Sequence, residues 1–237
     1  MDEIPLNKYL ADAGIGSRRA TIAYIKDGLV TVNHAVVTNP AYRVRPNDTV
    51  RFQKKVVKPR TEHIYILFNK PNEVVTTTAD VKGRTTVLDF IPHKARLFPV
   101  GRLDKDTYGL LLLTTDGQLA QQLAHPRYKV EKSYQVGLNS PLDPAHISKL
   151  KEGIRVGSTR IALDNIYYKP SHPNSVRVTI HSGQNRIVRR LFEELGYTVT
   201  SLDRVSYAGL KKGKLTRGKW RHLTSKEIAA LKELAKK

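Results

Sequence analysis

Leu6, Tyr9, Leu10 and Ala13 fall at the i, i+3, i+4 and i+7 spacing of an amphipathic helix, which Gly14 and Gly16 stop. Ser17 then offers an N-cap for a second helix running to about Lys26. After Asp27-Gly28 the pattern changes to short β-like runs, Leu29 to Asn33, Val36-Val37 and Thr49 to Phe52, with a turn at Arg45-Pro46-Asn47-Asp48. Two helices and a small curled sheet predict a compact domain over residues 1–52. Residues 53–62, QKKVVKPRTE, are polar, basic and broken by Pro59, which predicts a linker.

Residues 63–237 mix the two periods. Strands are expected at Ile64 to Phe68, Val74 to Thr77, Leu110 to Thr114, Lys132 to Leu138 and Ser175 to Ile180; helices at Gln118 to Ala124, Pro144 to Glu152 and Asn185 to Leu195. This order is not a regular βαβ alternation, so the expected class is α+β with a mixed, largely antiparallel sheet. At 237 residues the chain has room for this larger domain beside the small one.

Charge narrows the function. Lys and Arg number 41 against 21 Asp and Glu, a formal net charge of +20, and both segments share the basic excess. Such a field attracts polyanions, nucleic acid first. An anionic membrane is the weaker alternative, because no basic amphipathic helix carries a bulky apolar face. The absence of cysteine removes disulfides, thiolate metal sites and cysteine nucleophiles together. The acidic start, MDEIPLNKYL, lacks the basic flank of a secretory signal, and a cytoplasmic protein is expected.

Two places carry candidate chemistry. Arg18 and Arg19 fall in the first turn of the second helix, the wrong sign for a helix N-terminus unless a phosphate sits there. The stretch GRLDKDTYGLLLLTTDG (101–117) puts an apolar run suited to a strand buried on both faces after a loop holding Asp104 and Asp106, and before the turn Asp116-Gly117.

These residues carry two resemblances. Ser17, Arg18, Arg19, Ile25, Gly28, Val30, Val32, Asn33, Val44, Asp48 and Val50 meet the pattern of the S4 RNA-binding domain, whose fold is αL-like. GRLDKDTYGLLLLTTDG, HPRYKVEKSYQV and SGQNRIVRRLFEELGYTVTSLDRV are similar, in order, to the motifs of pseudouridine synthases of the RsuA/RluB/RluE/RluF type, which act on ribosomal RNA and carry an N-terminal S4 domain. YKVEKSYQV and TTTADVKGRTTVLDF are nearest the RluB side of that group, which implies the 23S large-subunit RNA or its assembly intermediate, with small-subunit RNA left open.

The resemblance implies roles. Asp104 is the catalytic carboxylate, as nucleophile at the anomeric carbon or as base at the neighbouring ribose carbon. Arg189 pairs with Asp104 and keeps it ionised, and Tyr134 stacks on the target uracil and assists the final proton removal. Arg102 fills the space left by the flipped base, and Val188 forms an apolar wall against it. Ser17, Arg18, Arg19, Lys70, Arg127, Arg186, Arg190, Arg204, Arg217 and Lys219, with Lys211, Lys212, Lys214 and Arg221, are the expected RNA contacts, mostly to phosphate. The expected partner is a structured ribosomal RNA stem-loop met by a monomer. No cofactor or metal is implied.

The third motif departs from the family form at Ser182, Gln184 and Ile187, which weakens any inference about the nucleotide chosen. Two other classes compete. A non-catalytic S4-domain assembly factor would have lost Asp104, Tyr134 or Arg189, and all are present. An S4-linked methyltransferase needs a glycine-rich strand-to-helix turn after the linker, and none is found.

Overall fold

The computed structural model describes residues 3–78, 80, 82–92 and 95–236. The chain divides into two compact units, one of residues 1–63 with 94–96 and one of residues 64–93 with 97–237.

The N-terminal unit holds β1 (Ile4–Pro5), α1 (Leu6–Asp12), α2 (Arg18–Lys26), β2 (Val30–Val32), β3 (Ala35–Val36), β4 (Arg43–Val44), β5 (Val50–Phe52) and β6 (Lys55–Val56). Ser17 caps α2 by accepting from the Ala20 amide at 2.9 Å, leaving Arg18 and Arg19 exposed on the first turn. Leu6, Leu10, Ile25, Val30 and Val50 close a small core. The β3-β2-β5-β6 sheet extends into the stretch expected to be a linker, because Lys55 and Val56 pair with Phe52 and Arg51. Its hairpin turn uses left-handed Gln53 and Lys54 in place of the usual Gly or Asn, which is why it was not legible as a turn.

The larger unit contains β7 (Tyr65–Lys70), β8 (Phe98–Pro99), β9 (Tyr108–Thr114), α3 (Gly117–Ala124), β10 (Lys132–Leu138), α4 (Pro144–Glu152), β11 (Ile154–Val156), β12 (Thr159–Ile161), β13 (Asn165–Tyr168), β14 (Ser175–Ile180), α5 (Ile187–Glu193), β15 (Val199–Tyr207), β16 (Leu210–Lys211), β17 (Trp220–His222) and α6 (Ser225–Leu234). Its nine-stranded sheet runs β13-β14-β10-β15-β9-β7-β17, with β8 also on β9 and β16 on β15. Neighbours are antiparallel except β9 and β15, which run parallel.

The two halves of this sheet bury themselves differently. β7 and β9 are apolar on both faces: Leu67, Leu110 and Leu112 pack with α3 and α6, while Phe68, Leu111 and Leu113 pack with Val87, Ile91 and Leu97. β14 alternates, with Val176, Val178 and Ile180 buried in the core shared with Val188, Leu191 and Phe192 of α5, and with Ser175, Arg177 and Thr179 on the other face. Val74 to Thr77 forms no strand; Val75 makes an isolated bridge to Thr86.

The halves meet where Tyr108 and Gly109 pair with Asp203 and Arg204. Gly109 has φ of +110°, and a Cβ there would sit 2.4 Å from the Arg204 carbonyl oxygen. Only glycine permits this approach.

At the far edge of the sheet, Thr224 and Glu227 form a capping box on α6, and Glu227 also accepts two bonds from the Arg221 guanidinium. Those bonds, assisted by Thr224 and opposed by burial, hold the Glu227 carboxyl down to about 2. A lowered folded pKa stabilises fully above the ordinary carboxylate range, and that contribution is lost as pH falls towards about 2. Glu227→Gln is therefore expected to lower the melting temperature at neutral pH, with a gap to wild type that closes in acid. A gap that stays constant across a pH series of thermal melts would contradict this linkage.

Candidate active site

Asp104 lies in the loop between β8 and β9, whose backbone is held by side chains and backbone groups around it. Thr76 accepts from the Leu103 amide at 3.3 Å and donates to the Leu103 carbonyl at 2.8 Å. The Val100 amide donates to the Leu112 carbonyl, and the Thr107 amide to that of Asp104. The Lys105 carbonyl accepts from the Glu73 amide at 2.9 Å and from Lys70 Nζ at 3.4 Å. Arg189 Nη2 donates to the Asp106 carbonyl at 3.1 Å. A loop so tethered presents its carboxylate without a further ordering cost when a substrate arrives.

A cavity of about 370 Å³ opens beside it, lined by Arg102, Leu103, Asp104, Lys132, Tyr134, the 182–188 segment, Leu202, Arg204 and Tyr207 among others. Tyr134 reaches this wall from β10, where a bulge between Ser133 and Tyr134 shifts the register against β15. Val188 comes from α5 and is buried. The structure thus gathers Asp104, Tyr134, Arg102, Val188 and Arg186 around one space.

The charge arrangement differs from the expected one. Arg189 is buried and its carboxylate partner is Asp106 at 3.1 Å, with Nη1 bound to the Val199 carbonyl at 2.8 Å. The guanidinium paired with Asp104 is that of Arg186, at 3.8 Å, and it also reaches Asp106 at 3.4 Å. Arg186 takes left-handed backbone, with φ of +50°, just before α5, a conformation a non-glycine residue holds only when its surroundings impose it. The point at which the chain enters α5 explains the exchange: Arg189 falls on the buried face of α5, while Arg186 precedes the helix and stays near solvent.

Two expected phosphate contacts are not on the surface. Lys70 is fully buried, its ammonium shared among the carbonyls of Pro71, Val74 and Lys105. Burial lowers its pKa to about 8, against the attraction of Asp106, Asp104 and Glu73. Arg204 is 2% exposed, donates from Nε to the Leu110 carbonyl at 2.7 Å and lies 4.7 Å from the Tyr207 ring. Both sit on strands whose basic heads look like surface charge, and only packing shows them turned inward. Lys212 and Arg221 are engaged by Asp203 and Glu227. Arg127, Lys211, Lys214, Arg217 and Lys219 are exposed, Arg217 lying 3.9 Å over the Tyr108 ring, and Arg190 is half-buried.

Lys132 is a cavity residue to which the sequence pattern assigned no role. It donates to the Val130 and His181 carbonyls at 2.9 and 2.7 Å, and burial, followed by the Arg204 charge, lowers its pKa to about 8. Its i, i+2 spacing from Tyr134 on one strand was the available signal. Asp116, by contrast, is structural, capping α3 through the Leu119 amide and accepting from the Tyr65 hydroxyl at 2.8 Å. Among the described residues no cluster of His, Cys, Asp and Glu is arranged to hold a metal, and no helix is long and apolar enough to cross a membrane.

Comparison with known proteins agrees with the motifs. The RNA pseudouridylate synthase family model matches residues 64–194, and the S4 domain model residues 4–50. The chain belongs to the RNA pseudouridine synthases. It is 40% identical to ribosomal large subunit pseudouridine synthase B of Bacillus subtilis (strain 168) over 235 residues, covering 97% of this chain and 96% of that protein. It is 34% identical to the dual-specificity RNA pseudouridine synthase RluF of Escherichia coli (strain K12), over 98% of this chain and 79% of that one. A pseudouridylate synthase crystal structure, 28% identical, superposes with a TM-score of 0.69 over 96% of this chain and 99% of its own. The enzyme is thus an isomerase of the RsuA-type group with an S4 domain and an α+β catalytic fold.

Lys70 gives this synthase a test of how its loop is held. Lys70→Met keeps the aliphatic stem and removes the ammonium from the Val74 and Pro71 carbonyls, leaving Lys105 only the Glu73 amide, so a stability loss of roughly 1–3 kcal/mol is expected by denaturant titration, together with reduced turnover. Unchanged stability would show that the ammonium is not holding the loop.

Proposed function

We propose that the enzyme converts a specific uridine of ribosomal RNA, in the large subunit, to pseudouridine, with Asp104 as the catalytic carboxylate. The observation that carries this reading is a pinned Asp104 in the same cavity as the Tyr134 ring and the Val188 side chain. The volume of about 370 Å³ suits one flipped nucleotide. The similarity to a large-subunit enzyme over nearly the whole chain supports the choice of RNA.

The reaction is redox-neutral. The bond from the ribose C1′ to uracil N1 breaks with its electron pair going to the base. Asp104 assists, either by bonding C1′ or by taking a proton from the adjacent ribose carbon. The base turns and its C5 bonds C1′ as the Asp104–C1′ bond breaks or, on the other route, as the proton held by Asp104 returns to the adjacent ribose carbon; the C5 proton is then removed with help from the Tyr134 hydroxyl, and N1 gains a proton. Arg186, 3.8 Å from Asp104, pairs with the carboxylate that either route uses. Arg189 acts as a positioning residue, fixing the loop through Asp106. Arg102, exposed at the rim, takes the place of the flipped base.

In this scheme the N-terminal S4 domain docks the RNA through Ser17, Arg18 and Arg19, and the substrate places the enzyme in the cytoplasm, acting as a monomer on free or assembling RNA. Asp104→Asn is expected to reduce pseudouridine formation by about 10³-fold or more while RNA affinity stays within about threefold, since a neutral isostere disturbs no phosphate contact. Carbodiimide mapping of wild type and variant on both ribosomal RNAs measures this, and product from the variant would remove Asp104 from the chemistry. Arg18→Ala with Arg19→Ala should instead weaken binding and flatten its salt dependence by about one or two ions, with single-turnover rates at saturating RNA unchanged. A slowed chemical step at saturation would count against that division of labour.

A further inference from the structure

The β11–β12 hairpin places Arg155 and Arg160 directly opposite each other, both exposed, while Val156 and Ile161 pack inward. Like charges directly opposite on an antiparallel pair repel, with Cβ atoms about 4.5–5.5 Å apart. A third guanidinium joins them: Nη2 of Arg190, from α5, lies 3.3 Å from where a Cβ on Gly157 would stand. Gly157, at φ of +63°, forms the hairpin turn and leaves that space free. Gly153 does the same for Arg160, whose Cγ and Nε lie 3.2 Å from the missing Cβ. The surface hollow between them, about 440 Å³, is lined by Gly153, Arg155, Ser158 and Arg160.

Elsewhere in this unit, Arg84 pairs with Asp80 and Arg221 with Glu227. None of the ion pairs among the described residues involves Arg155, Arg160 or Arg190. Arg155 donates only to the Gly157 carbonyl, at 3.3 Å. Two planar donor forks without a carboxylate, Arg155 and Arg160, line a hollow with Ser158, and a third, Arg190, stands beside the hairpin turn at Gly157; together they form a receptor for a phosphodiester.

We propose that this hairpin is a second RNA-backbone site, taking a phosphate of the substrate strand outside the cavity. Its place on α5 supports that assignment. Arg186 and Arg190 are i and i+4 neighbours, so the helix end that faces the Asp104 cavity and the residue that faces the hairpin are about one turn, roughly 6 Å, apart. A strand delivering its uridine to Asp104 can then continue past Arg190 to Arg155 and Arg160. The proposal rests on the reading of RNA as substrate, and favours RNA over an acidic protein because the arginines surround a hollow instead of forming a flat patch.

The test compares wild type, Arg155→Ala/Arg160→Ala and Arg155→Lys/Arg160→Lys for binding to an unmodified large-subunit RNA transcript across a potassium chloride series. The alanine pair should lose about tenfold in affinity and about one to two ions from the salt slope, with an unchanged or raised melting temperature because the repulsion is gone. The lysine pair should keep the slope. An unchanged slope and affinity in the alanine pair overturns the site, as does an equal slope loss in both pairs, which would mark a structural effect. Pseudouridine formation by wild type on the same transcript is scored separately, so failure of the substrate reading is distinguishable from failure of the phosphate site.

Discussion

The parallel contact between β9 and β15 is the constraint on which the rest of the catalytic unit depends. Two antiparallel assemblies are joined there through two register pairs, Tyr108 with Asp203 and Gly109 with Arg204, and Tyr207 and Leu210 pack into the core of Leu67, Leu110 and Leu112. So short a seam needs reinforcement. It comes from Gly109, which removes a side chain from the approach, and from Arg204, whose buried Nε bonds the Leu110 carbonyl across it. The cavity opens at this seam and draws its walls from both halves: the Asp104 loop comes from one, and Tyr134, Val188 and Leu202 come from the other.

A site assembled across a seam has to be held on each side independently. On one side Thr76, Lys70 and Glu73 fasten the loop around Asp104 through backbone groups, so its shape does not depend on solvent-exposed side chains. From the other side α5 brings Arg186 and Arg189, which reach across to Asp104 and Asp106. These ion pairs are partly exposed and modest in energy; what they add is orientation of two acids whose mutual repulsion would otherwise spread the loop. The paired carboxylates of GRLDKD thus divide the work, Asp104 facing the cavity and Asp106 tying the loop to α5.

The same helix gives the strongly basic chain a direction. Most of the +20 charge acts as a general field for polyanions and says nothing about path. Arg186, Arg189 and Arg190 differ in what they face, respectively the acids of the cavity rim, the loop backbone with Asp106, and the β11–β12 hairpin. Three nearby arginines thus meet three different surroundings, Arg186 from just before the helix and Arg189 and Arg190 from adjacent positions on it.

Several elements were legible because they are governed by local physics: Ser17 capping a helix that ends at Lys26, the Pro144 to Glu152 helix, and the strands Lys132 to Leu138 and Ser175 to Ile180. Leu110 to Leu113 announced a strand buried on both faces, because an unbroken apolar run has no solvent side. β15 was missed although it is central, since irregular pairing with β10 and buried Arg204 break the alternation that marks a strand. Composition and motif order alone were enough to indicate an RNA-directed synthase with an S4 domain. Only the tertiary structure decided which cations stay outside: Lys70 and Arg204 look like surface charges in a string of residues, and become buried anchors once neighbouring carbonyls accept their hydrogen bonds. It also decided that Arg186 and not Arg189 stands beside Asp104, because that depends on where the chain enters α5, a property no residue spacing records.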